Sequence, residues 1–369
     1  MTNDDLTRLL TAGDTIGLLE VDVSTSAMQP PAQAEGRRRE AEDALRAAGG
    51  DDALVGALLP AVAPVAGAVD PIGMVAVSAR GAVVQQPLPG AAPGRTRAEV
   101  TAVPDLSAIL RGRERAVPVL AVEALAAGGV VRAYPTPGLP AAEQEEVTGE
   151  DLAVHEAHAS GISQRAHDGS ADDALAQNAR RLADRVTAAA RRWDASTVVV
   201  LGDPRSAELL ATELQRGGDL TVAALGKDTA AAGADRSDLT EAVRLTVDAL
   251  LADAHRALVD RLSAGGGRLG ASGTAEVVAA LQGAAVDTLL MGPDGIGGDL
   301  VALDAPPWIA SDEADALGAG VLGRFPAVAA LTRAALLTDA AVRFPDPGVL
   351  PGSAAVAAHL RRPLDIEED

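Results

Sequence analysis

The stretch that most constrains this chain runs from 170 to 225. Leu175, Ala179, Leu182, Val186, Ala189 and Trp193 recur at alternating steps of four and three, which places them on one stripe of an α-helix. Ser170 is read as the N-cap of that helix, with Asp172 and Asp173 in a first turn whose free backbone N–H groups favour negative charge. The run from Ser196 to Leu201 is rich in β-branched residues and closes at Gly202, Asp203 and Pro204, as a buried strand would. An amphipathic helix over 205–215 and a second strand over 220–225 complete a βαβ unit, which requires parallel strands and a layered core.

The face opposite the apolar stripe carries Arg180, Arg181, Arg185, Arg191 and Arg192. Just before the helix lies a polar loop, Gly161, Ile162, Ser163, Gln164 and Arg165, which the helix would hold on a packed support. Residues 161–192 contain six arginines against four acids, in a chain whose formal net charge is −21. Such a chain repels polyanions at long range, so any nucleic-acid contact has to be local. Lys227 is the only lysine, and the other cations are arginines, whose planar fork matches phosphate.

The rest of the chain also reads as α/β. Residues 1–140 show a strand at 16–23, a charged helix at 35–48 stopped by Gly49 and Gly50, a hairpin at 74–78 and 83–88, and strands at 117–123 and 130–134. Pro135, Pro137 and Pro140 followed by an acidic run read as a linker, which puts a first boundary at 140. A long helix over 238–262, with Asp238 and Glu241 as a capping pair, shows Leu239, Val243, Val247, Leu250, Ala254, Leu258 and Leu262 as its apolar face. Gly265, Gly266 and Gly267 close it, and the last segment, 269–369, is expected to hold helices at 274–282 and 327–337 and strands at 286–291, 300–303 and 341–344.

Several motifs fail their own context tests. Gly265, Gly267 and Gly270 fit the dinucleotide fingerprint, but a helix precedes them where a strand is needed, so they read as a hinge. His155, His158 and His167 with Glu156 lack the i, i+4 pair of a helical zinc site and read as a polar loop. Gly202, Asp203, Pro204 and Arg205 read as an ordinary βα turn with Asp203 as N-cap, and the glycine-rich run holding Asp294 and Asp299 reads as a turn rather than a calcium loop. With no cysteine, thiolate chemistry and disulfides are excluded, and no cofactor or metal is expected. The acidic N-terminus and the lack of an 18-residue apolar run lead to the expectation of a cytoplasmic protein without a membrane partner.

Ser163 and Gln164 admit two readings. A glutamine amide can orient water against an ester carbonyl or donate to a developing oxyanion, which would make Gln164 catalytic. Equally, Gln164 and Arg165 can be surface loop residues that contact RNA or nothing.

Three pieces together resemble a known family: the Gly161-to-Arg165 loop leading into the arginine-bearing helix, the Ser196-to-Pro204 strand and turn, and the helix-to-strand element from Glu276 to Leu290. They resemble the bacterial branch of the archaeo-eukaryotic release factor superfamily, which includes class 1 release factors, Pelota and Balon-like hibernation factors. The resemblance implies three α/β domains, 1–140, 141–268 and 269–369, in a release factor/Pelota-like, tRNA-shaped arrangement. It implies a ribosomal A-site ligand whose first domain faces the decoding centre, whose middle domain faces the peptidyl transferase centre and whose last faces the stalk base. Release factors carry Gly-Gly-Gln at the middle-domain tip, whereas here Ile162 separates Gly161 from the Ser163-Gln164 pair.

The reading that follows is a noncatalytic, monomeric ribosome-binding factor that silences idle ribosomes. In it Ser163, Arg165, Arg180, Arg181, Arg185, Arg191 and Arg192 contact rRNA, and an elongation factor is left open as a second partner. A peptidyl-tRNA or tRNA-end hydrolase using Gln164 is the alternative, and an acidic scaffold without an RNA partner is a third.

Overall fold

A computed structural model describes residues 3–12, 15–25, 31–149, 164–225, 236–264, 269–292, 296–350 and 354–363. These residues gather into two units, one formed by 1–66, 70–114 and 250–369, the other by 67–69 and 115–249. The first unit begins with helix α1 (Asn3–Ala12), strand β1 (Ile16–Asp22), and helices α2 (Pro31–Ala47) and α3 (Asp52–Leu58). Strands β2 (Ile72–Ala79), β3 (Ala82–Pro89) and β4 (Arg97–Thr101) pair around β1 in the order β3-β2-β1-β4, and α4 (Ser107–Arg115) follows. The expected strand, charged helix and hairpin are all present. Strand β4, which pairs antiparallel with β1, and helices α1 and α3 were not foreseen.

The second unit is built on β5 (Val119–Leu125), β6 (Gly128–Tyr134) and β7 (Glu143–Thr148), helix α5 (Gln164–Trp193), strand β8 (Thr197–Gly202), helix α6 (Pro204–Arg216) and strand β9 (Thr221–Ala224). Its sheet runs β7-β6-β5-β8-β9. The β5–β8 and β8–β9 pairs are parallel, which gives the expected βαβ unit. The acidic run after Pro140 forms strand β7, antiparallel to β6, where a linker was expected. The boundary drawn at 140 therefore falls inside this sheet, because β5 and β6 pair with strands on both sides of it. Glu and Gln are poor strand formers, so the run gives little strand signal, yet charge suits a sheet edge.

Helix α5 buries Ala179, Leu182, Val186 and Ala189 against Leu120, Val122, Val131, Val198 and Val200, while Leu210 and Leu214 of α6 join the same core. Its first residue is Gln164, so Ser170 lies within the helix rather than capping it. Gly202 has φ +110°, and a β-carbon there would sit 2.2 Å from the Ala124 carbonyl oxygen, so this strand end accepts only glycine without strain.

Helix α7 (Arg236–Ala264) contributes its residues through Ala249 to the second unit and the remainder to the first. The expected apolar face holds only for its first half: Val243 and Val247 are buried, but farther on it is His255 and Val259 that are buried, and Ala254 is exposed. The expected positions advance by about 3.8 residues per step against about 3.6 per helical turn, so the stripe drifts round the helix. The expected capping pair is misplaced as well: the helix starts at Arg236, so Asp238 lies within its first turn, and Glu241 is engaged by Arg244 at 2.5 Å.

The first unit is completed by β10 (Gly270–Ser272), α8 (Thr274–Gln282), β11 (Val286–Met291), β12 (Asp299–Leu303), β13 (Ile309–Ala310), β14 (Val321–Pro326), α9 (Ala327–Leu337), β15 (Ala341–Arg343) and β16 (Val356–Leu360). These strands form two sheets, β10-β16-β11-β15 and β13-β12-β14. Strands β10, β13, β14 and β16 lie outside the sequence expectations. Helix α1 packs into the same core as α9, with Thr7 Oγ1 donating to the Leu336 carbonyl at 3.3 Å. Among the described residues no helix is long and apolar enough to cross a membrane. The fold class is mixed α/β, as expected.

Candidate nucleic-acid interface

The outer face of α5 is set by the same periodicity that buries its inner one. With Ala179, Leu182, Val186 and Ala189 turned to the sheet, Arg180, Arg181, Arg185, Arg191 and Arg192 all stand exposed. A rise of about 1.5 Å per residue spreads the five over roughly 18 Å of helix. The sequence reading of an arginine face opposite an apolar stripe holds in this geometry.

Three of these arginines are engaged by acids along both flanks of the helix. On one side lies β7. Arg185 donates to Glu145 Oε1 through Nη2 and, at 2.8 Å, through Nε. Arg192 Nη2 meets Glu143 Oε1 at 2.6 Å, and the indole N–H of Trp193 donates to the other oxygen of Glu143 at 3.1 Å. On the other side is α6, where Glu213 faces Arg180 at 3.6 Å and also accepts from Arg216 at 2.6 Å. Arg205 at the start of α6 reaches back to Asp172 of α5 at 2.5 Å. Arg191 has no ion pair among the described residues. These pairs sit at the surface, where each contributes little to stability, so the guanidinium groups remain exchangeable.

Glu143 and Glu145 were missed by the sequence reading. Their only local signal is a two-residue spacing, which puts both on one side of a strand. Gln144, on the other side, accepts from Arg132, whose guanidinium also pairs with Glu123 at 3.2 Å.

The remaining expected site residues divide. Gln164 and Arg165 occupy the first turn of α5 instead of a loop, while Ser163, Gly161 and Ile162 lie outside the described residues. His155, Glu156 and His158 also lie outside them, and His167 is on α5. No group of three His, Cys, Asp or Glu among the described residues could hold a metal ion. Gly270 opens β10, so no helix N-terminus follows it directly, and the turn residue Asp294 is again outside the described residues.

Asp203 behaves as the sequence anticipates. Its carboxylate accepts from the Ser206 backbone N–H at 2.9 Å and from the Ser206 hydroxyl at 2.8 Å, with Pro204 in the first helical turn. These hydrogen bonds, the backbone one first, hold its pKa below the ordinary carboxylate value. The cap accounts for Gly202 to Arg205 without a ligand.

Residues 118–268 match the family described as bacterial archaeo-eukaryotic release factor family 2. That span begins one residue before β5 and takes in the whole sheet of the second unit, α5 included. No curated protein matches the chain. Among solved structures, the chain is similar to archaeal Pelota in a ribosome-bound assembly with ABCE1, at 12% identity over 98% of this chain and 94% of that one, with a TM-score of 0.40. It is similar to Archaeoglobus fulgidus Pelota at 13% identity over 99% and 94% of the two chains, with a TM-score of 0.38. The archaeal translation termination factor aRF1 shares 14% identity over 98% of each chain, with a TM-score of 0.24. It is thus the segment 118–268, which carries the arginine-faced helix, that matches a bacterial archaeo-eukaryotic release factor family.

Proposed function

We propose that this chain is a ribosome-associated translation factor that occupies the A site of idle ribosomes and silences them without catalysis. The observation that carries the reading is the position of α5: a helix with five exposed arginines lies inside the span that matches a release factor family. Arg180, Arg181, Arg185, Arg191 and Arg192 meet rRNA phosphates in this reading, and Ser163 and Arg165 contact rRNA as well. The net charge of −21 is compatible with it because phosphate contact is local to one helix face. The reading includes a cytoplasmic monomer, an elongation factor as a candidate companion, and a three-part chain whose middle part starts at 118 rather than 141, because β5 and β6 belong to its sheet.

Co-sedimentation of the purified protein with vacant 70S ribosomes across a salt series tests this, with peptidyl-tRNA integrity followed in the same tubes. Binding without cleavage is the expected result, with a salt slope that flattens by about 0.7 to 0.9 for each phosphate-contacting arginine replaced by glutamine. Cleavage that Gln164→Ala abolishes would move the protein to the hydrolases. No binding at low salt would remove the ribosome from the account.

A further inference from the structure

We infer that Glu143 and Glu145 of β7 set the selectivity of the arginine face, acting as an internal phosphate substitute that any RNA has to displace. This deepens the reading above and rests on its claim that α5 meets an RNA backbone. The two carboxylates stand two residues apart on one side of an edge strand, a separation of about 6.8 Å along the chain. Anions at that interval resemble neighbouring phosphates along a nucleic-acid strand. They engage two guanidinium groups of α5, Arg185 and Arg192, and Glu143 is further oriented by the Trp193 indole.

The consequence is a threshold. A phosphate arriving at Arg185 exchanges one anion for another, and the displaced carboxylate stays close enough to repel it, so an isolated contact gains little. A backbone that also reaches Arg191 gains at a guanidinium with no ion pair to displace among the described residues. Dense, structured RNA is thus favoured over a loose single strand. Such a filter matters for a factor that shares its compartment with mRNA.

Glu146 supplies the control. It is the neighbouring carboxylate on β7, exposed, on the side of the strand away from Glu143 and Glu145, and it has no ion pair among the described residues. Glu146→Gln therefore changes net charge by the same amount without releasing an arginine. Glutamine at 143 keeps an acceptor for the Trp193 indole, and thermal melts of all variants show whether the fold is retained.

The experiment measures affinity for poly(U) by fluorescence anisotropy, and for vacant 70S ribosomes by co-sedimentation, from about 0.05 to 0.3 M salt. Freeing one arginine adds about 0.7 to the salt slope on single-stranded RNA, which near 0.1 M salt amounts to about a fivefold gain in poly(U) affinity. Glu143→Gln and Glu145→Gln should each show that gain, and the preference for 70S over poly(U) should shrink. If both variants match Glu146→Gln in affinity and slope, the inference is overturned. Wild-type protein that fails to bind 70S ribosomes at low salt would instead overturn the proposed function, and the poly(U) comparison would still decide the role of the two glutamates.

Discussion

Gly129 and Leu182 form a contact on which the placement of α5 depends, and a pair of substitutions dissects it. Gly129 lies on β6 opposite Ala124 of β5, and Leu182 is 1% exposed in the core between α5 and the sheet. A β-carbon at Gly129 would stand 2.8 Å from Leu182 Cδ2, and also 2.4 Å from the Glu123 carbonyl oxygen. Leu182→Ala removes a fully buried side chain over strands that are paired on both sides and cannot collapse toward the hole, so it should cost about 3 to 5 kcal/mol. Gly129→Ala should cost about 2 to 3 kcal/mol, at the upper end of overpacking, because one of the two close atoms belongs to the backbone. Leu182→Ala relieves the side-chain clash and leaves the carbonyl clash in place. The double variant should therefore be less stable than either single one. Because the chain has two units, a single global melt mixes their transitions, and hydrogen exchange of β5, β6 and α5 peptides is the suitable assay. A double variant more protected than Gly129→Ala alone would show that the side-chain contact, not the approach of the strands, requires glycine here, and the reasoning would fail.

Three further outcomes follow from single residues. Asp203→Ala should cost about 1 kcal/mol near neutral pH by loss of the α6 cap. Since the folded carboxylate has a lowered pKa, that contribution is present above the ordinary carboxylate range and disappears as pH falls through the lowered value, which urea titrations of wild type and variant from pH 7 to about pH 2 would reveal as converging curves. Glu20 is the reverse case: burial first, with Asp105 and Glu99 adding to it and Arg97 opposing, raises its pKa, so the folded state loses stability as pH climbs through the range between the ordinary and raised values. Glu20→Gln should be up to about 1 kcal/mol more stable than wild type at neutral pH, with the advantage closing in acid, and a variant less stable at pH 7 would contradict the assignment. Arg333, 4% exposed, has its pKa lowered to about 10 by burial, donates to the Leu303 carbonyl at 2.9 Å and lies over the Trp308 ring. Arg333→Met should cost about 1 to 3 kcal/mol by leaving that carbonyl unpaired, and should change the near-ultraviolet dichroism of Trp308.

Legibility in the sequence followed periodicity and punctuation. Helices α8 and α9 and strand β11 begin and end where their apolar patterns and flanking turns place them, and the arginine face of α5 follows from the 3.6-residue repeat alone. The start of α5 was misplaced because Gly169 and Ser170 look like an entry, yet a helix can carry both at a cost of about 1 kcal/mol. Strand β7 was read as a linker because its composition, Glu-Gln-Glu-Glu-Val-Thr, lacks the β-branched run that marked β8. The acids that complete the candidate site were invisible for a different reason. They lie 40 and 49 residues before the arginines they engage, and only the fold brings them together.

The arginines of α5 are not equivalent as witnesses to an RNA role. Arg191 and Arg192 sit in its last turn, where a cation is stabilised by the negative end of the helix dipole whether or not RNA is present, by about 0.3 to 1 kcal/mol at low salt. Their presence is thus partly explained by the helix itself. Arg180 and Arg181 stand three turns earlier, beyond the reach of that effect, and Arg180 approaches Glu213 only at 3.6 Å. Arg180 is held only loosely by the fold, so this position carries the stronger indication of an external anion. Loss of ribosome binding on replacing Arg180, with thermal stability unchanged, would bear on function alone. The same loss at Arg191 and Arg192 would leave helix stability and phosphate contact entangled.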